Sequence, residues 1–294
     1  MSKAPRKQPK APAKPVVETT GHSWDGIEEL NNPLPRWWLW TLYATIVWGI
    51  AYTVFFPAWP LISSATSGLL GFSTRAEVAA DIAAVDAQNS EVAALLATAD
   101  LSTLSQDDPA YHFGVSGGAA VFRANCSQCH GSGAAGVQAA GYPNLLDDDW
   151  LWGGTLEEIE YTIRHGIRNE IDWDARWSEM PAFAEVLSDE EQAAVVEHVL
   201  AISDQQHDVT QLAAGAAVFE AQCSSCHGLE GRGDPTQGAP NLTDAIWLYG
   251  GSREDVAYTV ANARFGVMPP WGGRLDEEDI KAVTLYIHQL GGGQ

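Results

Sequence analysis

Cysteine and methionine are both scarce in this chain of 294 residues. The four cysteines all lie in two copies of one motif, Cys126-Ser-Gln-Cys-His130 and Cys223-Ser-Ser-Cys-His227. C-x-x-C-H is the attachment signature of c-type haem: the two thiols bind the porphyrin vinyl groups and the histidine ligates the iron. The motifs therefore predict two covalent haem c groups. The predicted attachment residues are Cys126, Cys129, Cys223 and Cys226, and the predicted proximal ligands are His130 and His227.

Two other uses of paired cysteines remain open. Two C-x-x-C pairs can build a tetrahedral zinc site, or they can form two short-loop disulfides. A zinc site does not require a histidine directly after both pairs, and nearly 100 residues separate the pairs here. Redox-active C-x-x-C motifs usually lie in an α/β setting, which the sequence does not indicate. Covalent haem is therefore the favoured interpretation.

Positively charged residues are also scarce. The sequence has 16 Lys and Arg against 38 Asp and Glu, a formal net charge of −22. Nucleic-acid binding needs a basic surface, so this balance argues against it. The acidic body fits a basic protein partner attracted by long-range electrostatics, and it equally fits a surface kept soluble by its charge.

One run of twenty residues, 37–56, carries no charge. As a helix it covers about 30 Å, the thickness of the hydrocarbon core of a membrane. Tryptophans near both ends suit the two membrane interfaces. A cleaved signal peptide is the alternative, but the leader is long and no clear cleavage site follows. We expect an uncleaved anchor. Basic residues within 1–36 predict a cytoplasmic N-terminus and haem motifs in the bacterial periplasm.

The segments on either side of this apolar run show few sequence signals. Residues 1–36 comprise a basic arm, predicted to be disordered over its first thirty residues, and a short pre-anchor motif. Residues 57–116 are expected to form a periplasmic connector. Within it, Thr74 and Glu77 resemble a capping box that opens an Ala-rich helix ending near Ala99.

The rest of the chain is an internal duplication. Gly118-Ala-Ala-Val-Phe122 recurs as Gly215-Ala-Ala-Val-Phe219 with an offset of 97 residues, and the haem motifs share that offset. Nine residues are then missing from the second copy, so Met180-Pro matches Met268-Pro at an offset of 88. We predict an all-α protein: an N-terminal transmembrane helix followed by two cytochrome c domains, residues 117–204 and 210–294. These ranges are called the first and second copy below.

Methionine occurs only at positions 1, 180 and 268. Matching positions after the haem motif predict Met180 and Met268 as the distal iron ligands, one in each copy. A core-filling role is the alternative. His165, in the longer loop region of the first copy, is a rival to Met180.

Further residues can be placed around the predicted haems. Pro143 and Pro240 can offer a backbone carbonyl to the proximal imidazole, which would fix the ring. Trp150 and Trp247 are expected to pack on the porphyrin. Finally, Arg168 and Arg264 are candidates for pairing with the haem propionates.

His/Met ligation leaves no open iron position, so such domains should pass single electrons without bond chemistry. A dihaem peroxidase needs one five-coordinate haem, which matching methionines argue against. A redox sensor is a weaker alternative because no signalling domain is evident. A free-standing anchored electron carrier shares every feature except the pre-anchor motif.

That motif, Gly21-His-Ser-Trp-Asp-Gly-Ile-Glu-Glu-Leu30 with Asn32-Pro-Leu-Pro-Arg-Trp-Trp38, followed by one anchor and two C-x-x-C-H copies, resembles the CcoP/FixP family over essentially the whole chain. These proteins are the dihaem subunits of cbb3-type cytochrome c oxidases, which are proton-pumping terminal oxidases.

The resemblance implies a non-catalytic electron-transfer subunit in the inner membrane, working in aerobic or microaerobic respiration. It implies a cytochrome c as electron donor, and the catalytic subunit CcoN, the monohaem subunit CcoO and the small subunit CcoQ as partners. It also implies two ligand sets: Cys126, Cys129, His130 and Met180 for one haem, and Cys223, Cys226, His227 and Met268 for the other.

Overall fold

The structure is a computed structural model that describes residues 17–294, apart from the side chain of Ala139. The lysines and arginines of the predicted basic arm, at positions 3–14, lie outside this range. The chain divides into two compact units, with the boundary between residues 85 and 86.

The first unit begins with a β-hairpin, although the sequence led us to expect disorder up to residue 30. Strand β1, Thr19–Trp24, pairs antiparallel with strand β2, Ile27–Leu30. Asp25 and Gly26 form the turn with φ of 53° and 87°. An Asp-Gly pair favours a two-residue hairpin turn because both positions need positive φ. The expectation of disorder was therefore wrong for residues 19–30.

Helix α1, Arg36–Phe55, follows the hairpin and is 20 residues long. None of its residues is buried within the protein, although nearly all are apolar. Within residues 17–294, α1 is the single helix that is long and apolar enough to cross a membrane. Its apolar surface needs lipid, so α1 is the membrane anchor.

Helix α2, Thr74–Thr98, runs from the first unit into the second. The side chain of Ser73, rather than Thr74, caps it: Ser73 Oγ accepts a hydrogen bond of 3.3 Å from the Ala76 N–H. The cap therefore lies one residue before the expected Thr74, and no capping box forms there because Ala76 has no side-chain acceptor. Near the C-terminal end of α2, Leu96 is completely buried against Leu285.

The second unit is helical, in agreement with the all-α prediction. A π-helical turn, Phe122–Cys126, joins its first two helices, and loops with little regular structure join the others. The helices are α3 Pro109–Val121, α4 Ser127–His130, α5 Leu156–His165, α6 Asp189–Ile202, α7 Leu212–Gln222, α8 Ser224–His227, α9 Arg253–Asn262 and α10 Glu277–His288.

The helices pair across the two copies. Helix α3 of the first copy packs on α10 of the second, and α7 of the second copy packs on α6 of the first. We expected each copy to pack as a helical domain of its own, and this expectation was wrong. Each packed bundle instead combines the N-terminal part of one copy with the C-terminal part of the other.

Two glycines allow the paired helices to approach closely. A Cβ on Gly118 would collide with the backbone of Ala282 in α10, and a Cβ on Gly215 would collide with the backbone of Ala194 in α6. The two crossings occupy matching positions of the repeat. This equivalence shows that the two bundles share one helix-packing geometry.

Each bundle has its own core. Phe122 and Phe219, at matching positions of the repeat, are the largest fully buried side chains. The core around Phe122 adds Ala134, Leu145, Ile159, Ile163, Ile280, Val283 and Ile287. The core around Phe219 adds Phe183, Leu187, Val195, Val196, Val199, Leu200, Val256 and Val260.

Ion pairs reinforce both exchanged contacts. Arg164 at the end of α5 donates to Glu277 at the start of α10, with an N–O distance of 2.6 Å. Arg253 at the start of α9 donates to Glu197 in α6, with an N–O distance of 2.7 Å. Glu197 is buried, and it also accepts a hydrogen bond from the Asp208 N–H. Both pairs join a residue of the first copy to a residue of the second.

Candidate haem sites

The first cavity lies around His130. Helix α4 supplies Cys129 and His130, and the preceding π-helical turn supplies Cys126. The empty space around these residues, counted out to the open mouth, is about 1280 Å³. The other side chains at its wall are mostly apolar, among them Leu145, Trp150, Ile159, Ile163, Trp271 and Ile287.

The second cavity lies around His227 and has the same construction. Cys223, Cys226 and His227 line it, and its empty space is about 1330 Å³. Apolar side chains again dominate the wall, among them Phe183, Val195, Val199, Phe219, Trp247 and Val260. The structure thus brings each predicted Cys-Cys-His set to its own large apolar cavity.

Both proximal histidines are held in the way the sequence predicts. His130 Nδ1 lies 3.2 Å from the Pro143 carbonyl oxygen, and His227 Nδ1 lies 3.0 Å from the Pro240 carbonyl oxygen. An N–H on Nδ1 leaves Nε2 free to bind a metal. Burial lowers the pKa of both imidazoles, against a smaller opposing effect of these hydrogen bonds. The lowered pKa favours the neutral imidazole, which is the form that ligates a metal, in both rings.

The geometry weighs against the other uses of the cysteines. All four thiols are free, and the two pairs line different cavities, so they do not converge on one tetrahedral site. Burial, with a smaller contribution from the neighbouring Cys129, raises the pKa of Cys126 to about 11. Cys223 shows the same rise, to about 11, for the same reasons. Redox-active C-x-x-C thiols have a lowered pKa instead.

The methionines enter the cavities in the opposite order to our expectation. Met268 lines the first cavity with His130, and Met180 lines the second cavity with His227. The expected grouping of Met180 with His130, and of Met268 with His227, was therefore wrong. The physical reason is the exchange of helices between the copies, which carries each Met-Pro segment into the other copy's bundle.

Backbone hydrogen bonds fix both Met-Pro segments. Met268 and Ile167 exchange two N–H···O bonds of 3.0 Å each at the end of α5. Three residues after Met180, the Phe183 N–H donates to the Val260 carbonyl in α9, also at 3.0 Å. Each methionine is thus held at the end of a helix that belongs to the other copy.

His165 lines neither cavity. Its Nδ1 lies 3.0 Å from Asp172, and its ring packs on Tyr161 with a centroid distance of 4.5 Å. His165, Asp172 and Asp174 are the single group of potential metal ligands in residues 17–294, and no cysteine belongs to it. These contacts give His165 a local partner and remove it as a rival to the methionines.

The two cavities share part of their walls. Leu151, Leu248, Arg168 and Gly266 line both of them. Leu151 and Leu248 are matching residues of the repeat, so the cavities meet at a position of internal pseudo-symmetry. Ligands in the two cavities would be close neighbours.

The structure fits a haem in a further respect that the sequence analysis missed. Trp152 Nε1 and Arg176 Nε are buried donors without a hydrogen-bond partner among the described residues. Both belong to one cluster, since the Arg176 guanidinium lies 5.5 Å from the Trp152 ring centroid. Buried donors are normally satisfied. Trp152 lines the first cavity and Arg176 lines neither cavity, so only the Trp152 N–H can meet an acceptor, such as a carboxylate, of a ligand bound there. Trp152 could have been noticed because it repeats as Tyr249.

Comparison with known proteins agrees with this geometry. Residues 16–63 match the family model for the N-terminal domain of cytochrome oxidase-cbb3, FixP. Residues 114–199 and 210–287 match the model for cytochrome c oxidase, cbb3-type, subunit III. The chain belongs to the CcoP/FixP family. The matched N-terminal range includes the hairpin and α1, which shows that the pre-anchor segment is a family element.

Curated members of the CcoP/FixP family are similar over nearly the whole chain. The chain is 56% identical to the cbb3-type cytochrome c oxidase subunit CcoP of Cereibacter sphaeroides, and all of both chains is covered. It is 50% identical to CcoP of Rhodobacter capsulatus, over 97% of this chain and 99% of that protein. It is 47% identical to FixP of Sinorhizobium medicae, over 95% and 96%. Cytochrome c domains of this family imply haem c as the cofactor.

Proposed function

We propose that this chain is the membrane-anchored electron-transfer subunit of a cbb3-type cytochrome c oxidase and that it carries two haem c groups. The observation that carries the proposal is the content of the cavities: each holds one Cys-Cys-His set and one methionine, and the two cavities share a wall. Bound haem c would supply a one-electron Fe(II)/Fe(III) couple.

The ligand sets follow the exchanged packing. The first haem is attached through Cys126 and Cys129 and ligated by His130 and Met268. The second haem is attached through Cys223 and Cys226 and ligated by His227 and Met180. The chain's own contribution is to fix each imidazole through a proline carbonyl, to fix each methionine through backbone bonds and to exclude water with apolar walls.

The partners follow from the family and from the charge of the chain. The chain receives electrons from a soluble or anchored cytochrome c and passes them through the monohaem subunit CcoO to the oxygen-reducing subunit CcoN. CcoQ is a further neighbour. A donor with a basic surface is favoured because residues 57–294 carry thirty-four acidic and ten basic side chains.

The membrane topology completes the proposal. Helix α1 anchors the chain in the bacterial inner membrane with residues 1–35 in the cytoplasm and the haem cavities in the periplasm. The support is the basic composition of residues 1–36, which carry six Lys and Arg, and the positive-inside rule.

Purification of the full-length tagged chain from solubilised membranes of a strain lacking its own copy tests this function. We expect CcoN and CcoO to co-purify, and we expect two haem c per chain by pyridine haemochrome analysis. A purified chain with two haems and no oxidase subunits would instead identify a free-standing carrier. A five-coordinate high-spin signal in the reduced protein would favour the dihaem peroxidase.

A matched pair of variants calibrates the haem count. Replacing both Cys126 and Cys129 with alanine should halve the covalent haem. Replacing Ser127, between them, with alanine should leave it unchanged because, among residues 17–294, its side chain bonds to the Arg123 carbonyl alone.

A further inference from the structure

Arg168 lies in the wall that separates the two cavities and lines both of them. It is the only cationic residue with this property among the described residues, since Arg264 lines the second cavity alone. The Arg168 guanidinium packs between two rings, 5.8 Å from the centroid of Trp152 and 5.7 Å from that of Phe265. The rings belong to different copies, so its position depends on both.

The hydrogen bonds of Arg168 leave part of its guanidinium available. Nε donates to the Ser178 carbonyl at 2.5 Å, and Nη1 donates to the Gly266 carbonyl at 3.1 Å. A guanidinium has five N–H donors, and three of them have no partner within residues 17–294. The two bonds fix the orientation of the group without exhausting it.

Arg168 also has no counter-ion of its own. The ion pairs formed within residues 17–294 involve Arg164, His165, Arg232 and Arg253. A half-buried cation without a carboxylate partner is unfavourable unless a ligand supplies the negative charge. Burial lowers the pKa of Arg168, against smaller opposing effects of Tyr249 and of Glu179, a carboxylate that lines the second cavity but forms no ion pair with Arg168.

The backbone is specialised to place Arg168 there. Its φ is 50°, in the left-handed region that residues with a Cβ rarely occupy. Its N–H donates to the Arg176 carbonyl at 2.8 Å, which closes a loop that is nine residues longer than in the second copy. At the matching distance from the Gly-Gly motif the second copy has Phe265. Only the first copy thus supplies a cation at this position.

We propose that Arg168 is a shared counter-ion of both haems and would bind a propionate carboxylate of each from the wall between the cavities. The inference rests on the proposed binding of two haems. Reduction adds negative charge to each haem, and a nearby fixed cation favours the reduced form. One arginine should therefore raise the midpoint potentials of both haems together.

Redox titration of the purified full-length chain, followed by absorption spectroscopy, tests this role. In Arg168→Gln we expect both midpoint potentials to fall, each by up to about 59 mV. For a one-electron couple this shift corresponds to a tenfold change in the reduction equilibrium. Arg168→Lys, which keeps the charge, should restore most of both shifts. Arg264→Gln should lower only one potential.

Two measurements keep the result decisive. Arg232→Gln removes an exposed charge outside both walls and should leave both potentials unchanged. Haem content is measured for every variant, so a chain without two haems contradicts the proposed function rather than the role of Arg168. If both haems are present and Arg168→Gln shifts one potential or neither, the shared role is wrong. If Arg168→Gln does not fold, the neutral Arg168→Leu is titrated in its place: both midpoint potentials should fall, and a fall in one potential or in neither would contradict the shared role.

Discussion

Met268 of the second copy is joined to Ile167 of the first by two backbone hydrogen bonds of 3.0 Å each. The two residues form a short antiparallel bridge at the end of α5, next to the cavity around His130. A backbone bridge is insensitive to the identity of the side chain. The bridge therefore fixes the position of residue 268 independently of any bond that its sulfur makes.

The crossing of α3 and α10 should depend on the absence of a side chain at one position. Gly118→Ala is expected to destabilise the protein by about 1–3 kcal/mol, because a Cβ at residue 118 collides with the backbone of Ala282. Denaturant unfolding in detergent, followed by absorption and circular dichroism, measures the change.

The neighbouring glycine provides the control. A Cβ on Gly117 meets no atom within 4 Å, so Gly117→Ala should be neutral or should stabilise the helix by about 0.5–1 kcal/mol. Equal destabilisation by the two substitutions would show that the close crossing at Gly118 is not formed.

The ion pair of the buried Glu197 with the exposed Arg253 should contribute to the exchanged packing of α6 on α9. Glu197→Gln is expected to lower the free energy of unfolding at pH 7 by about 1–3 kcal/mol, because charge-assisted bonds at 2.7 and 2.9 Å are lost. The exposed Glu254→Gln, at the start of α9, should change it little.

The same pair predicts a pH dependence. The hydrogen bond from Arg253 holds the pKa of Glu197 below its ordinary value of 4.5. A carboxyl with a lowered folded pKa stabilises the protein above its unfolded pKa, and this contribution is lost as the pH falls through the folded value. The wild-type and Glu197→Gln unfolding energies should therefore converge progressively as the pH falls below 4.5 and through the folded pKa of Glu197. A constant difference at all pH values would contradict the charged pair.

Asp149 at the wall of the first cavity should behave in the opposite way. Burial, then the charges of Asp244, Asp147 and Asp148, raise its pKa to about 6. A raised carboxyl pKa costs stability once the pH exceeds the unfolded value of 3.8, and the cost grows until the pH passes 6. Asp149→Asn should therefore stabilise the protein at pH 7.5 by about 1 kcal/mol, after allowance for screening by solvent.

The contrast between pH values tests the prediction for Asp149. Below pH 4 the Asp149→Asn and wild-type proteins should unfold at the same denaturant concentration, because both side chains are neutral. The exposed Asp148→Asn should give a smaller gain at pH 7.5. A destabilised Asp149→Asn at pH 7.5 would show that the ionised carboxylate has a favourable partner.

Much of the site could be predicted from the sequence because it depends on local chemistry. The C-x-x-C-H motifs, the proline carbonyls behind His130 and His227, and the Ser188 cap of α6 all act within a few residues or within one loop. Helix α5 begins and ends where its Thr155 cap and Gly166 place it. The α1 anchor follows from its length and lack of charge.

The exchange of helices was not predicted, because the two copies are similar in most of the residues that pack. The two observed crossings bury similar aromatic contacts: Phe122, next to α3, packs on Tyr286 at a centroid distance of 5.5 Å, and Phe219 of α7 packs on His198 at 5.0 Å. One charge difference does favour the exchange. Glu197 pairs with Arg253 across the copies, whereas packing within the first copy would place Glu197 beside Leu156, the residue that matches Arg253. The hairpin was missed although the sequence contains its turn signal, the Asp25-Gly26 pair.

The pairing of Met268 with His130 is the central claim, and a chain with a single haem tests it most directly. Replacing Cys223 and Cys226 with alanine leaves only the haem attached at Cys126 and Cys129. In that protein we predict that Met268→Leu abolishes the Met–Fe(III) charge-transfer absorption, whereas Met180→Leu preserves it. Loss of the band in Met180→Leu, with retention in Met268→Leu, would contradict the exchange of ligands between the copies.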